Sequence, residues 1–339
     1  MRKPDFPDLL TSFFSQHLTL QRGLSSNSIS SYSDAFILFF RYCKEIHRIN
    51  PNRMTFSKIT KELITGYCQW LEDERQSSIK TRNLRLTAIH SFFKYVQTQM
   101  PEHAALCRNI LNISMKKCDK KPPVHLSDLE IKMLLAEPNI HTREGIRDLA
   151  VMTMLYDTGA RVSELIELRV CDLNMNQTTT VKIVGKGKKM RYIPVSPETS
   201  TVLKAYFKSN KIDTSQREKY VFVNKNGTRL TRPGINYILN KYVNLARENN
   251  PGYFTVTVTA HVLRHSKACH LLLSDINLIY IRDFLGHSSV VTTEHYAKTN
   301  PEFLRRAIER NAENNISGLE KYSDEAKETL MEFLKTYRN

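Results

Sequence analysis

The chain has 339 residues, and its 50 lysines and arginines against 34 aspartates and glutamates give a formal net charge of +16. This length leaves room for about two domains of roughly 100 to 200 residues, each with its own core. A strongly positive field attracts polyanions, so nucleic acid is the leading partner. A basic membrane-surface protein is the alternative, but such proteins concentrate their charge in a tail or an amphipathic helix, whereas here it is spread along the chain.

The sequence predicts neither a membrane span nor a disulfide framework. The richest apolar run, residues 35–40, is far too short to cross a bilayer, and no long apolar segment follows the N-terminus. The six cysteines lack the short spacings of a zinc knuckle or a redox pair, so we expect reduced structural thiols. These features predict a cytoplasmic protein, associated with the nucleoid if DNA is its partner.

The first part of the chain predicts a small helical bundle. Residues 8–115 carry almost no strand signal, and their apolar residues return at helical spacing. One amphipathic helix is expected after Ser26 and Asn27, and another over residues 81–95, with Leu84 among the residues of its apolar face. The polar side of the second helix carries a basic row that could meet DNA phosphates, although such a row is more often a solvated face. Its members are Lys80, Arg82, Arg85 and Lys94.

Like charges and two prolines separate this bundle from the rest of the chain. Proline blocks helix continuation and charge repulsion extends a linker, so the run KKCDKKPP marks a boundary. We place the first domain at residues 1–116, the linker at 117–124 and the second domain at 125–312. Residues 313–339 form a tail with a further helix.

Helices also dominate the second domain, which adds a small β-sheet. Ser127 and Glu130 form a capping-box pattern that opens a helix. Residues 181–184 and 191–195 predict a β-hairpin, whose turn GKGKKM is permitted by its two glycines. The predicted fold class is therefore mainly α with a small β-sheet, in two domains. Further helices are expected at residues 232–248, 261–274, 276–285 and 301–311.

Two short strings carry residues suited to phosphate binding. In TGARVSEL, Arg161 and Glu164 lie three apart on one helical face, so the carboxylate can orient a guanidinium whose planar fork suits a phosphate. In HVLRH, His261 and Arg264 share one face of a helix in the same way. Taken alone, the first pair is more often an ordinary surface ion pair.

A third string, LGHSS, contains His287, and Tyr296 follows nine residues later. An isolated histidine after a glycine is more often a helix C-cap contact, and a lone tyrosine is more often half-buried packing. The order and spacing of all three strings, with a GKGxKxRxxP hairpin between them, match the tyrosine recombinase family, also called the phage integrase family. The resemblance covers the whole second domain and, more loosely, the first, and it is nearest to the compact Xer-type members.

This resemblance implies a fold and an activity. The first domain is similar to the helical, SAM-like core-binding domain of the family, and the second to its mixed α/β catalytic domain. The implied activity is site-specific recombination, in which DNA is cleaved and rejoined through a covalent 3′-phosphotyrosine intermediate and a Holliday junction. The biological task would be integration, excision, transposition or dimer resolution.

The resemblance also implies a role for each matching position. Arg161 and Arg264 match the arginines that clamp the scissile phosphate, and Tyr296 matches the nucleophile. His287 matches a further phosphate contact, and His261 matches a residue that assists proton transfer. Because arginines supply the charge that Mg²⁺ would, and no carboxylate cluster is apparent, we expect no metal and no cofactor.

The hairpin turn and its neighbours supply the remaining positions. Lys186, between the two glycines of the turn, matches the general acid that protonates the departing 5′-oxygen, and Glu164 matches an acidic residue that supports the active-site helix. Simple contact with the DNA backbone is the alternative for Lys186. We expect Lys188, Lys189 and Arg191 to make such backbone contacts.

Assembly follows from the same resemblance. We expect a homotetramer on double-stranded DNA that carries a specific recombination site, with the C-terminal helix of each protomer docked on a neighbour. The alternative is that this helix folds back on its own domain. Because the bundle begins within about ten residues of the N-terminus, no separate arm-binding domain is expected. The need for a helper protein stays open, as do two rival functions, a type IB topoisomerase and a DNA-binding regulator that does not cut.

Overall fold

The chain divides into two compact units, Met1–Lys120 and Lys121–Asn339. Helices dominate both units, and the described strands form one three-stranded antiparallel sheet in the second. The predicted fold class is therefore confirmed. None of the described helices is both long and apolar enough to cross a membrane. The computed structural model describes residues 5–118, 124–176, 178–185, 187, 189–287, 289 and 305.

Side-chain caps fix where the helices of the first unit begin. Ser25, Thr60 and Ser78 each accept a hydrogen bond from a backbone N–H of the first turn that follows, which satisfies a donor that the helix leaves unpaired. The helices are α1 Phe6–Ser12, α2 Ser26–His47, α3 Lys61–Asp73, α4 Ile79–Gln99 and α5 Ala104–Leu111, with π-helical turns at Phe13–Gln21 and 3₁₀ turns at Pro51–Arg53, Phe56–Lys58 and Pro101–His103.

An aromatic core holds these helices together. Phe92 on α4 packs edge to face against Phe6, Phe13 and Phe36, with ring centroids 5.3 to 5.5 Å apart. Each such pair contributes about 1 kcal/mol beyond the area that it buries. The prediction for Leu84 was wrong, because its side chain is 54% exposed. Leu84 lies two residues from the buried Leu86, which turns it about 160° away around the helix.

The elements of the second unit surround one central helix. The capping box at Ser127 is confirmed, since Ser127 N donates to Glu130 Oε2 at 2.8 Å and Glu130 N donates to Ser127 Oγ at 3.2 Å. The helices are α6 Asp128–Ala136, α7 Arg143–Thr158, α8 Val162–Ile166, α9 Pro197–Ser209, α10 Arg232–Asn249, α11 Ala260–Leu273 and α12 Leu278–Leu285, the strands are β1 Leu173–Asn174, β2 Thr180–Val184 and β3 Met190–Pro194, and a 3₁₀ turn lies at Val170–Asp172.

Helix α7 is buried on almost every side, and its central residues 149–155 are apolar except for Thr153, as in a helix at the centre of a core. It packs against α9 and α11 and ends at Gly159. The predicted hairpin is confirmed, since β2 pairs with β3 antiparallel from Thr180 opposite Pro194 to Val184 opposite Met190. The predicted helix at residues 301–311 and the tail lie outside the described residues, apart from Arg305.

Candidate active site

The junction between α7 and α8 presents Arg161. Gly159 ends α7 in the left-handed conformation, with φ 57°, and a Cβ at this position would lie 2.8 Å from Leu285 Cδ2. Glycine is required there for both reasons, since other residues tolerate neither the backbone angle nor the close approach. The chain then turns so that Arg161 is the N-cap residue of α8, with a side chain that is 33% exposed.

Glu164 holds Arg161 at both ends. Its Oε2 accepts a hydrogen bond from Arg161 N at 2.9 Å, and its Oε1 accepts one from Arg161 Nη1 at 2.9 Å. Arg191 adds a second guanidinium, whose Nη2 donates to Glu164 Oε2 at 2.7 Å. Burial alone would raise the pKa of Glu164, but the hydrogen bonds from Arg191 and Arg161 outweigh it and lower this pKa. The carboxylate is therefore ionised and fixes the direction of the Arg161 side chain.

Arg264 on α11 lies in the interior and is only 3% exposed. Its Nη1 donates to Gly159 O at 2.5 Å and its Nη2 donates to Leu285 O at 2.6 Å. Both carbonyls stand at helix C-termini, where unpaired carbonyls carry partial negative charge. One guanidinium therefore joins the end of α7 to the end of α12.

His287 follows directly after α12. Gly286 ends that helix with φ 65°, and His287 N donates to Arg282 O at 3.0 Å, which completes the C-terminal cap. Burial lowers the pKa of His287 to about 4, with further contributions from the charges of Arg264 and Arg161. His287 and Arg161 line the same cleft, so the imidazole lies near the Arg161 guanidinium.

His261 lies in the first turn of α11, on the surface. Partial burial lowers the pKa of His261, and the charges of Arg264, Arg161 and Arg232 lower it further. The structure thus brings four predicted site residues together. We call Arg161, His261, Arg264 and His287 the basic cluster.

Two open clefts meet at Arg161. The hairpin cleft, of about 540 Å³, is lined by Arg161, Lys189, Arg191 and His287 together with the two glycines of the hairpin turn. The helix cleft, of about 370 Å³, is lined by Arg161, Arg232, Asn236, Thr259 and His261 among others. Arg161 is therefore the member of the basic cluster that both clefts expose to a ligand.

Three predicted site residues lie outside the described residues, namely Lys186, Lys188 and Tyr296. Lys189 lines the hairpin cleft, and its contact with the DNA backbone stays a prediction. Arg191 differs from the expectation that it touches DNA, because its side chain is only 11% exposed and its Nη2 is bound to Glu164. The buried carboxylate attracts this guanidinium into the unit.

The basic row of the first unit divides into two kinds of residue. Lys80 and Lys94 are exposed on α4. Arg82 is 5% exposed, bonds to Ser114 O at 3.2 Å and lies 3.6 Å from Glu72, while Arg85 Nη1 donates to Ser31 O at 3.0 Å. The two arginines therefore hold the bundle together, contrary to the expectation that they face DNA.

Arg232 was not among the predicted site residues, but it lines the same cleft as Arg161 and His261. It lines the helix cleft and occupies the first turn of α10. A cation is unfavourable there, because the N-terminus of a helix carries partial positive charge. An arginine directly after the N-cap Thr231 is the signal in the sequence that points to an anion nearby.

Over the described part of the chain, no group of three or more histidine, cysteine or carboxylate side chains is placed to hold a metal ion. The six cysteines all lie within the described residues, and they are thiols rather than disulfides.

Comparison with known proteins gives a consistent picture. Residues 125–302 match the phage integrase family, and residues 12–99 match the N-terminal SAM-like domain of phage integrases. The tyrosine recombinase XerD of Oceanobacillus iheyensis is 34% identical over 295 residues, which cover 86% of this chain and 94% of XerD.

Two solved structures share the fold. The XerH site-specific recombinase bound to palindromic difH substrate, a post-cleavage complex, superposes with a TM-score of 0.66 at 22% identity and covers 85% of this chain and 80% of its own. The Tn1549 transposon integrase in complex with transposon right end DNA superposes with a TM-score of 0.69 at 16% identity and covers 89% and 98%.

Proposed function

This chain belongs to the phage integrase family and is a site-specific tyrosine recombinase that cleaves and rejoins DNA, and we propose that Tyr296 is its nucleophile and the basic cluster its phosphate site. The observation that carries the proposal is the position of Arg161, which is oriented by Glu164 and exposed in two clefts that His261 and His287 also line. A phosphodiester bound at Arg161 is within the charge field of the whole cluster.

The cluster stabilises the transition state by charge. As Tyr296 attacks, negative charge grows on the oxygens of the phosphorus, and preorganised donors at such oxygens can each contribute about 3 kcal/mol. Arg161 binds these oxygens directly. Arg264 adds positive charge from its buried position and fixes the C-terminal ends of α7 and α12. Arg232, across the helix cleft, contacts a neighbouring phosphate.

The two histidines act as neutral groups. With a pKa of about 4, His287 carries no charge at neutral pH in the protein alone, so it offers the phosphate a hydrogen bond from its ring. The pKa of His261 is also below its ordinary value, so its neutral ring can accept the phenolic proton of Tyr296. Bound phosphate raises both pKa values, since an anion favours the protonated ring.

Cleavage then proceeds with a balanced exchange of bonds. The Tyr296 oxygen forms a bond to phosphorus while the bond from phosphorus to the 5′-oxygen breaks. Lys186 gives a proton to that oxygen, which leaves as a 5′-hydroxyl. The 3′-phosphotyrosine keeps the phosphoester energy, so the reverse attack by a 5′-hydroxyl rejoins DNA without ATP.

The remaining predicted features complete the proposal. Residues 1–116 form the core-binding domain and residues 125–312 the catalytic domain, with a linker at 117–124 between them; the family matches at 12–99 and 125–302 support this division. Lys80, Lys94, Lys188 and Lys189 contact the DNA backbone. Four protomers act together on two DNA sites through a Holliday junction, each with residues 313–339 docked on its neighbour.

A nicked suicide duplex tests the nucleophile. The duplex carries the site that the protein selects from a randomised duplex library, and loss of the short fragment below the nick traps the covalent adduct. We expect an adduct on denaturing electrophoresis with the intact protein, and none with Tyr296→Phe, which should still bind the duplex.

Tyr280→Phe is the matched control, since Tyr280 is 71% exposed on α12 and its hydroxyl has no proposed role. It should form the adduct at the rate of the intact protein. An adduct that persists in Tyr296→Phe moves the nucleophile to another residue.

A further inference from the structure

Arg191 is a buried cation on the hairpin that carries the predicted general acid. It lies on β3, paired with Ile183 on β2, five residues beyond Lys186. Its side chain is 11% exposed and that of Glu164 is 5% exposed. Removal of Arg191 would leave the buried Glu164 carboxylate with its bonds to Arg161 alone.

The guanidinium of Arg191 touches the backbone on two further sides. A Cβ at Gly286 would lie 2.9 Å from Arg191 Nη1, and a Cβ at Gly185 would lie 3.4 Å from the same atom. Gly185 directly precedes Lys186, and Gly286 directly precedes His287. One side chain is thus packed against the chain neighbours of two proposed site residues.

Arg161 and His287 are held in place by bonds of their own, whereas the hairpin is joined to α8 through Arg191. Arg161 has its own bonds to Glu164, through N and Nη1. His287 has a backbone bond to Arg282 O that belongs to the cap of α12. The hairpin turn closes on itself, since Gly185 N donates to Lys189 O at 2.8 Å. Among the described residues, the side-chain hydrogen bonds that join this hairpin to α8 are those of Arg191 to Glu164.

We propose that Arg191 is a positioning residue for the general acid, because its bonds to Glu164 fix the base of the hairpin turn relative to the phosphate bound at Arg161. The inference rests on the proposed role of Lys186. Without Arg191 the turn is free to shift, and the lysine no longer meets the 5′-oxygen as that oxygen leaves.

The chemistry of the leaving group separates this role from a structural one. A departing 5′-oxygen needs a proton, since water, a comparable acid, has a pKa of about 15.7. A departing 5′-sulfur needs none, since a thiol has a pKa of about 8.5. A defect that lies only in proton delivery therefore disappears when sulfur replaces the bridging 5′-oxygen, while a defect in phosphate binding remains.

The test compares single-turnover adduct formation on two suicide duplexes, one with the ordinary phosphodiester and one with a 5′-bridging phosphorothiolate. We expect Arg191→Met to cleave the ordinary duplex roughly a hundredfold more slowly than the intact protein, the scale of a lost general acid. On the phosphorothiolate duplex its rate should come within about threefold of the intact protein. Arg191→Lys, which keeps a cation beside Glu164, should show a smaller loss and the same rescue, and it preserves the test if the methionine variant does not fold.

Three further variants serve as controls for the Arg191 experiment. Lys186→Ala should be rescued by sulfur, and its failure to recover would remove the proposed acid and with it the premise. Arg161→Ala should not be rescued, because phosphate binding is lost. Arg169→Met removes an exposed arginine that pairs with Glu218 and should leave both rates unchanged. If Lys186→Ala recovers on the phosphorothiolate and neither Arg191 variant does, Arg191 acts on the fold or the phosphate clamp and the inference is overturned.

Discussion

Basic residues have different roles in the two units. In the second unit, Arg161 keeps a third of its side chain exposed in two clefts while Arg264 binds backbone carbonyls directly behind it. In the first unit, Arg82 and Arg85 on α4 both turn inward, and the lysines at positions 80 and 94 remain on the surface. A basic sequence pattern therefore does not by itself separate a residue that meets DNA from one that holds the fold.

The partners of the inward arginines explain the difference. Arg82 is compensated by the carboxylate of Glu72, so its charge is neutralised within the bundle. Burial lowers the pKa of His287, the charges of Arg264 and Arg161 lower it further, and His287 and Arg161 both line the open hairpin cleft. Substitutions in the second unit should therefore change chemistry first, and those in the first unit should change stability and affinity.

Arg264→Gln is expected to have the largest effect. Loss of its charge and of its bonds to the carbonyls of Gly159 and Leu285 should slow single-turnover cleavage by about a thousandfold, the scale of one lost preorganised electrostatic contribution to the transition state. The measurement is adduct formation at saturating DNA. Arg82→Gln is the matched control, and it should cleave at nearly the normal rate once bound. Equal rates for the two variants would show that the buried arginines of both units are only structural.

Arg82→Met should have the second largest effect, on the stability of the first unit. The substitution leaves Glu72 paired with Lys116 and removes the bond to Ser114 O, so the free energy of unfolding should fall by about 2 kcal/mol, the scale of a lost charged hydrogen bond. Trp70 on α3 is the only tryptophan of the chain and is buried, so its fluorescence in urea follows this unit. Lys80→Met should leave the transition unchanged. An unaltered transition in Arg82→Met would mean that its ion pair adds nothing.

Lys80→Ala and Lys94→Ala should have the smallest effects, on DNA affinity alone. Each phosphate contact that is lost should reduce the slope of log affinity against log salt by about 0.9. The measurement is binding of the selected duplex at a series of salt concentrations. Lys58→Ala removes an exposed lysine from another part of the first unit and serves as the charge-matched control. If the control changes the slope as much, α4 is not the DNA-facing surface of the unit.

Local relationships in the structure were predictable from the sequence. The bond between Arg161 and Glu164 follows from a spacing of three residues, and the capping box of Ser127 and Glu130 from the same spacing. The hairpin follows from alternating strands around two glycines, one of which has φ 74°. Each of these features depends on residues within one turn or one hairpin, so the sequence carries the whole of the required information.

Relationships across distant segments were not predictable in the same way. Arg191 is drawn inward by a carboxylate 27 positions earlier in the chain, and Arg85 by a carbonyl 54 positions earlier. Arg232 joins the site because the start of α10 lies beside α8 and α11. In each case the tertiary fold decides which way a long charged side chain points. The spacing of nearby residues does not predict that direction.

Arg264 connects the C-terminal end of α12 to the phosphate site through hydrogen bonds. Its guanidinium links Leu285 O to Gly159 O, two residues before Arg161 along the chain. A displacement of the last turn of α12 therefore stretches these bonds and is transmitted to the cap of α8. Fraying of the last turn of α12 and loss of phosphate binding should thus occur as one cooperative opening. Amide protons in that turn and at the cap of α8 should therefore exchange at the same rate.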